Sequence, residues 1–210
     1  MNGVDDGFPA SEKLGNPAAS IIKRLDVIEQ NFLINGYNSV WTIDHDDGSQ
    51  FFNDTHNFMV FGGCKNYLGN SKSCDANVIV YPGISSRSAG SYRCACFAGT
   101  GFADQYFQNN TCLTADGVVY TYGFQQPITN CTDASIGQHV YRTAGNTFFA
   151  PTNLSTGGLF GGRGDQCASF ELWQAAEQDV GSHAVRSLPG PDEVVAMGRR
   201  VLAFPAAGQK

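Results

Sequence analysis

The segments His56–Gly63, HNFMVFGG, and Ala76–Gly83, ANVIVYPG, say nearly the same thing twice. Each holds an Asn, four apolar residues, one variable position and a Gly. The pattern recurs in QNFLING from Gln30 and GNTFFAP from Gly145, while DGVVYTYG from Asp116 is a β-branched and aromatic run with Gly near each end. The starts Asn31, Asn57, Asn77, Asp116 and Asn146 lie 26, 20, 39 and 30 residues apart. A unit of roughly 20 to 26 residues with loop insertions accounts for them, the longest interval covering two units with a weak one around Cys94–Tyr106.

A unit this short, with extended runs of four or five residues and Gly-marked corners, cannot bury its own apolar face and must stack on its neighbours. The expected fold is all-β, a right-handed parallel β-helix (solenoid) of about six to eight turns. Asn at a fixed corner then forms a ladder of side-chain amides along the stack, which gives Asn31, Asn57, Asn77 and Asn146 a structural use. Leucine-rich repeats have a similar period, but their L-x-x-L-x-L scaffold is absent and the Asn precedes the strand.

Composition agrees. Of 210 residues, 42% are hydrophobic and only 15% charged, outside the disordered class, and 25 glycines suit many tight turns. A net charge of -6 with no basic cluster excludes nucleic acid and anionic membranes as partners, and no apolar run is long enough to span a bilayer. Seven cysteines without C-x-x-C spacing point to disulfides, and Asn-x-Ser/Thr sequons begin at Asn53, Asn109, Asn130 and Asn153. Both suit an extracellular or cell-surface glycoprotein. The N-terminus lacks the basic start and apolar stretch of a signal peptide, so the expectation is a monomeric piece of a longer secreted protein.

The C-terminal part differs. ASFELWQAAEQD from Ala168 reads as a short helix, and Pro191, with Asp192 and Glu193 following and Arg199 and Arg200 at the far end, marks a second near 191 to 203. The expected organisation is a flexible arm at 1–15, the β-helix at 16–167, a helical C-terminal cap at 168–204 covering the open end of the stack, and a tail at 205–210.

The sharpest chemical feature is WTIDHDDGSQFFND, with Asp44, Asp46 and Asp47 inside four residues. Charges about 6 Å apart repel by about 0.7 kcal/mol in water and about 3 kcal/mol at an effective dielectric of 20. A cluster of this kind calls for calcium, a facing Lys or Arg, or a protonated carboxyl. If the strand runs on through Asp46, then Asp44 and Asp46 share a face, about 6.5 to 7 Å apart at the backbone, and form a pair suited to glycoside hydrolysis. The plainer reading is a turn whose carboxylates accept backbone N–H bonds. The Gly falls one position early for an EF-hand. Lys65 and Arg87 sit eight and ten residues after Asn57 and Asn77, so they emerge near one corner of neighbouring turns. His45 is either a ligand or proton carrier or a hydrogen-bonded turn residue. G-x-S-x-G, P-loop and H-E-x-x-H motifs are absent, and Arg163–Asp165 spells an adhesion tripeptide that chance explains.

Together, IDHDDGSQFF (Ile43–Phe52), GGCKNYLG (Gly62–Gly69), NVIVYPG (Asn77–Gly83) and WQAAEQDVGS (Trp173–Ser182) resemble the right-handed parallel β-helix domain proteins, related in fold to pectin lyases and polygalacturonases. The resemblance runs roughly from Ala19 to Leu202, with Glu177 where Gly is usual. It implies the fold, and the face of such a solenoid, a long groove that accepts an extended polymer, points to a polysaccharide ligand. It brings no agreed catalytic set, and the Gly-His-Gly of polygalacturonases is missing. Two functions follow. One is a lyase or hydrolase, with Asp44, Asp46, Asp47, Lys65 and Arg87 as catalytic candidates and the three aspartates as calcium ligands. The other is a non-catalytic carbohydrate-binding, adhesive or structural module.

Overall fold

The computed structural model describes residues 24–35, 41–46, 49–66, 71–82, 96–99, 105–115, 117–123, 142–159, 166–175 and 177–204. Asp47, Arg87, Cys94, Cys131 and the arm and tail expected at 1–15 and 205–210 lie outside these residues.

Among the described residues the fold is all-β, with three largely parallel sheets and two short helices. Consecutive strands are dealt to the sheets in turn. The first sheet takes β1 (Asp26–Glu29), β4 (Phe52–Thr55), β7 (Lys72–Asp75), β10 (Gln105–Gln108) and β13 (Arg142–Ala144). The second takes β2 (Phe32–Ile34), β5 (Phe58–Val60), β8 (Val78–Val80), β11 (Thr111–Leu113), β14 (Thr147–Phe149) and β17 (His183–Val185). The third takes β3 (Trp41–His45), β6 (Gly63–Asn66), β9 (Phe97–Gly99), β12 (Val118–Gly123), β15 (Ser155–Leu159) and, antiparallel, β16 (Gln166–Ser169). The short helices are α1 (Phe170–Ala175) and α2 (Pro191–Val201). Each of the first five strand triplets thus adds one strand to every sheet, while β16 extends only the third sheet and β17 only the second.

One apolar core draws on all three sheets: Ile43, Cys64 and Phe97 from the third, Cys74 and Phe107 from the first, and Met59, Ile79, Cys112 and Phe148 from the second. Leu33, Met59, Ile79, Cys112 and Phe148 are successive partners in register and stack as one column. Disulfides Cys64–Cys74 and Cys96–Cys112 tie neighbouring parts of this core together.

The strands FMV (Phe58–Val60) and VIV (Val78–Val80) are apolar at every position because the second sheet is covered on both faces. Its other face, with Val78, Val80 and Leu113 and the flanking Phe58 and Phe149, packs against Met197, Val194 and Val201 of α2. That contact is close, since a Cβ at Gly198 would come 3.0 Å from the Phe58 ring. Hence α2 lies along the side of the second sheet, not across the end of the strand stack. The first glycine of HNFMVFGG is a packing requirement of the same kind, because a Cβ at Gly62 would sit 2.6 Å from Asn35 and Thr42.

The Asn ladder is present. The Oδ1 atoms of Asn57, Asn77, Asn110 and Asn146 each accept the backbone N–H of the preceding ladder Asn, at 2.8 to 3.0 Å. Each also accepts the Nδ2 of that residue. The fourth member is Asn110, whereas the Asp116 run expected to begin a unit instead forms β12 in the third sheet. A corner residue precedes every ladder Asn, and its φ is positive: Gln30, His56, Ala76, Asn109 and Gly145. This left-handed step turns the chain from the first sheet into the second.

Candidate functional site

Alternation along β3 sends Trp41, Ile43 and His45 inward and Asp44 outward, and exposed Asp46 follows the strand. In register with Asp44 on β6 is Lys65. Its Nζ lies 2.9 Å from Asp44 Oδ1 and 2.9 Å from Asp46 Oδ1, so one ammonium offsets the repulsion of both carboxylates. Half-burial would lower the Lys65 pKa, but the hydrogen bonds and charges of Asp46 and Asp44 outweigh it and hold the amine above the ordinary lysine range.

The structure therefore brings Asp44, Asp46 and Lys65 together at the surface. Lys65 occupies the position a cation would take between the two aspartates, and no group of three metal-ligating side chains forms among the described residues. The donor set as placed fits an ammonium, and Asp47, the third aspartate expected as a calcium ligand, lies outside the described residues.

Behind this trio lies an ionisable cluster that the acidic motif does not announce. His45 is a buried strand residue, not part of a turn. Its Nε2 lies 2.8 and 3.0 Å from the carboxylate oxygens of Asp54, and its ring stacks on Phe52 with centroids 4.1 Å apart. Burial raises the Asp54 pKa above the ordinary carboxylate value, against the opposing His45 hydrogen bond and the charges of His45 and Lys72. Lys72, fully buried on β7, donates from Nζ to the His45 carbonyl at 3.2 Å. Burial brings its pKa down to about 7, against the pull of Asp46 and Asp54. The side-chain amides of Gln50 and Asn66 are buried nearby in sequence and find no hydrogen-bond partner among the described residues. Since Lys72 has no exposed surface, a polymer cannot reach it, and of these two clusters only the outer trio is open to a large ligand.

The Lys72 environment has a measurable consequence. Folded protein gives up the Lys72 proton near pH 7, whereas the unfolded chain keeps it to 10.5. Between these values the unfolded state binds more protons, so this group makes stability rise as pH rises from about 7 towards 10 and adds no slope below that window. Asp54 acts oppositely on the acid side: its contribution is full below pH 3.8 and is lost as pH climbs through its raised folded value. Lys72→Met is expected to remove the alkaline rise, measured as the melting temperature at pH 7 and pH 9.5 for both proteins. Equal slopes would count against the buried amine.

A second outward feature is a lane on the first sheet, where Asn53, Ser73, Tyr106 and Arg142 follow one another in register on β4, β7, β10 and β13. Ser73 Oγ donates to Asn53 Oδ1 at 2.7 Å, and the Arg142 guanidinium sits 5.6 Å from the Tyr106 ring centroid. Beside the lane, Asn109 Nδ2 donates to Asp75 Oδ1 at 3.0 Å. The lane presents amide, hydroxyl, aromatic and guanidinium groups in a line at strand spacing.

The disulfides indicate a non-reducing environment, and no helix of the described residues is long and apolar enough to cross a membrane. Compared with known proteins, the chain matches no family model, no curated protein and no solved structure.

Proposed function

We propose that the three sheets form a right-handed parallel β-helix of an extracellular or cell-surface protein, and that its outer face binds an extended polysaccharide. The observation that carries this reading is the lane Asn53, Ser73, Tyr106 and Arg142: a flat row of sugar-compatible groups, one per strand, spaced by about 4.8 Å. A tyrosine ring offers a sugar an apolar face and a hydroxyl, and the guanidinium and amide supply directional hydrogen bonds. In this reading the Asp44–Lys65–Asp46 trio fastens β3 to β6 and has no part in a reaction.

A catalytic reading rests on the same trio, because it places two exposed carboxylates on one ammonium at the surface. Both carboxylate oxygens lie 2.9 Å from Lys65 Nζ, which caps the separation of these two atoms at twice that distance, nearer the close pair of retaining glycosidases than the wide pair of inverting ones. Against it, a general acid needs a sheltered carboxyl to keep its proton, and both aspartates are exposed.

One experiment separates the two readings. The full chain is run by affinity electrophoresis through gels holding neutral or uronate polysaccharides, and the polymers are analysed for new ends after incubation. Retention should fall about tenfold, or 1.4 kcal/mol, on Tyr106→Ala and on Arg142→Ala, with melting temperature unchanged and Asp46→Asn without effect. New reducing or unsaturated ends that vanish with Asp46→Asn would replace binding by catalysis. Indifference to every polymer would overturn both.

A further inference from the structure

Where the chain passes from the third sheet to the first, an amine and a carboxamide are enclosed together. The strands β6 and β7 send Cys64, Asn66, Lys72 and Cys74 inward, while Lys65 and Ser73 lie outward between them. The Cys64–Cys74 disulfide joins the two strands with Cα atoms 6.5 Å apart. Asn66 and Lys72 are the next inward pair, two residues further along β6 and two residues earlier on β7. Register places them in the same way. Asn66 is the partner of His45 and Lys72 is the partner of Phe52 on the adjacent strands, and the rings of His45 and Phe52 meet with centroids 4.1 Å apart. Lys72 Nζ donates to the His45 carbonyl at 3.2 Å, so the amine lies beside the residue that Asn66 pairs with. Both Asn66 and Lys72 are fully buried.

Each partner is suited to react. Burial makes the folded protein release the Lys72 proton near pH 7, so a neutral and nucleophilic amine is present under mild conditions. The Asn66 carboxamide makes no hydrogen bond among the described residues, so no competing contact holds it. Enclosing an amine against an amide turns a bimolecular encounter into an effectively unimolecular step, with effective concentrations of about 10⁵ to 10⁸ M in well-oriented cases.

We propose that Lys72 and Asn66 join through an intramolecular isopeptide bond in the folded protein. Lys72 Nζ adds to Asn66 Cγ, the Cγ–Nδ2 bond breaks, and Nδ2 leaves as ammonia with one proton of the attacking amine. Neither an oxidant nor a cofactor is needed. The step is slow, because no donor among the described residues meets Asn66 Oδ1 to hold the negative charge that develops there. Freshly prepared protein therefore keeps its amine and its alkaline rise in stability, and the bond accumulates on standing above pH 7. A cross-link over so few residues, beside an existing disulfide, removes little chain entropy, so its signature is mass and not melting temperature. The bond is independent of any carbohydrate ligand.

The test uses the full folded chain, held for several days at pH 5.5 and at pH 8.5 and then weighed intact by mass spectrometry. A species lighter by one ammonia is expected at pH 8.5. It should form about thirtyfold faster than at pH 5.5, the ratio of neutral-amine fractions for a pKa of about 7. After reduction of the disulfides and cleavage at Tyr67 and Leu68, the fragments should stay joined through Asn66 and Lys72. Lys72→Met and Asn66→Leu should each abolish the joined fragments. The parent held in urea should not form them, which ties the reaction to the folded geometry without relying on a variant that folds. An unchanged mass at pH 8.5 would overturn the proposal. So would an ammonia loss that persists in Lys72→Met, which reports succinimide formation at an asparagine, or joined fragments that appear equally fast in urea.

Discussion

Asn77→Ala is expected to destabilise the protein by about 3 to 5 kcal/mol, a large share of the roughly 5 to 15 kcal/mol that holds a typical domain together. Asn77 is buried at the middle of the ladder. Its Oδ1 accepts the Asn57 N–H at 2.8 Å and the Asn57 Nδ2 at 3.1 Å, while its Nδ2 donates to the Asp54 carbonyl at 2.8 Å and to Asn110 Oδ1 at 3.2 Å. Truncation strands a buried donor on one side and deprives buried acceptors on the other, with about 1 to 3 kcal/mol lost for each group left unsatisfied. Asn77→Asp should fare no better at neutral pH. It keeps the acceptor but turns a carboxylate oxygen towards the Asp54 carbonyl and Asn110 Oδ1, where a donor stood. Asn31→Ala is the control, because Asn31 is exposed and water replaces its lost bonds. Urea unfolding of the three variants gives the comparison, and a loss below 1 kcal/mol for Asn77→Ala would mean that the ladder is incidental to stability.

This ladder was the most legible feature of the sequence, and the reason is physical. A corner that needs an amide and a strand that is apolar on both faces leave a signature, Asn then a hydrophobic run, that survives loops of different length. The signature fails where the strand is less apolar. Asn110 leads Thr111 and Cys112, so the louder run at Val118–Tyr122 drew the expected unit start to Asp116, although that run belongs to another sheet. Asp44, Asp46 and Lys65 could be picked out by charge, but their meeting depends on a strand register that insertions hide. His45, Asp54 and Lys72 were less accessible still. Ionisable residues are seldom enclosed, so alternation that places His45 and Lys72 inward reads as surface until neighbouring strands wall them in. The position of α2 was illegible for a related reason: its apolar stripe shows that it covers something, and only the second apolar face of NVIV shows what.

Trp173→Ala is expected to cost about 3 to 5 kcal/mol, through the cavity left by the largest fully buried side chain of the described residues. Part of this loss is polar, and it can be separated. Trp173 Nε1 donates to Asp179 Oδ2 at 2.8 Å; the other oxygen of Asp179 takes Asn146 Nδ2 at 2.8 Å and Ser182 Oγ at 2.7 Å. A single carboxylate therefore joins α1, the final ladder Asn and the closing serine, and it is fully buried. Asp179 also has φ 52°, a left-handed conformation that Asn adopts more readily than Ala, so Asp179→Asn tests the oxygen without disturbing the backbone. In the parent, Asp179→Asn sets an amide N–H against the indole N–H and should cost about 2 to 3 kcal/mol. In a Trp173→Phe background the indole donor is gone, and the same substitution should cost about 1 to 2 kcal/mol less, the difference being the coupling energy of the pair. Amide exchange provides the spatial readout. If the carboxylate closes the ladder, Asp179→Asn accelerates exchange at 142–149 and leaves 26–34 as it was; a uniform acceleration would show that it only lowers global stability.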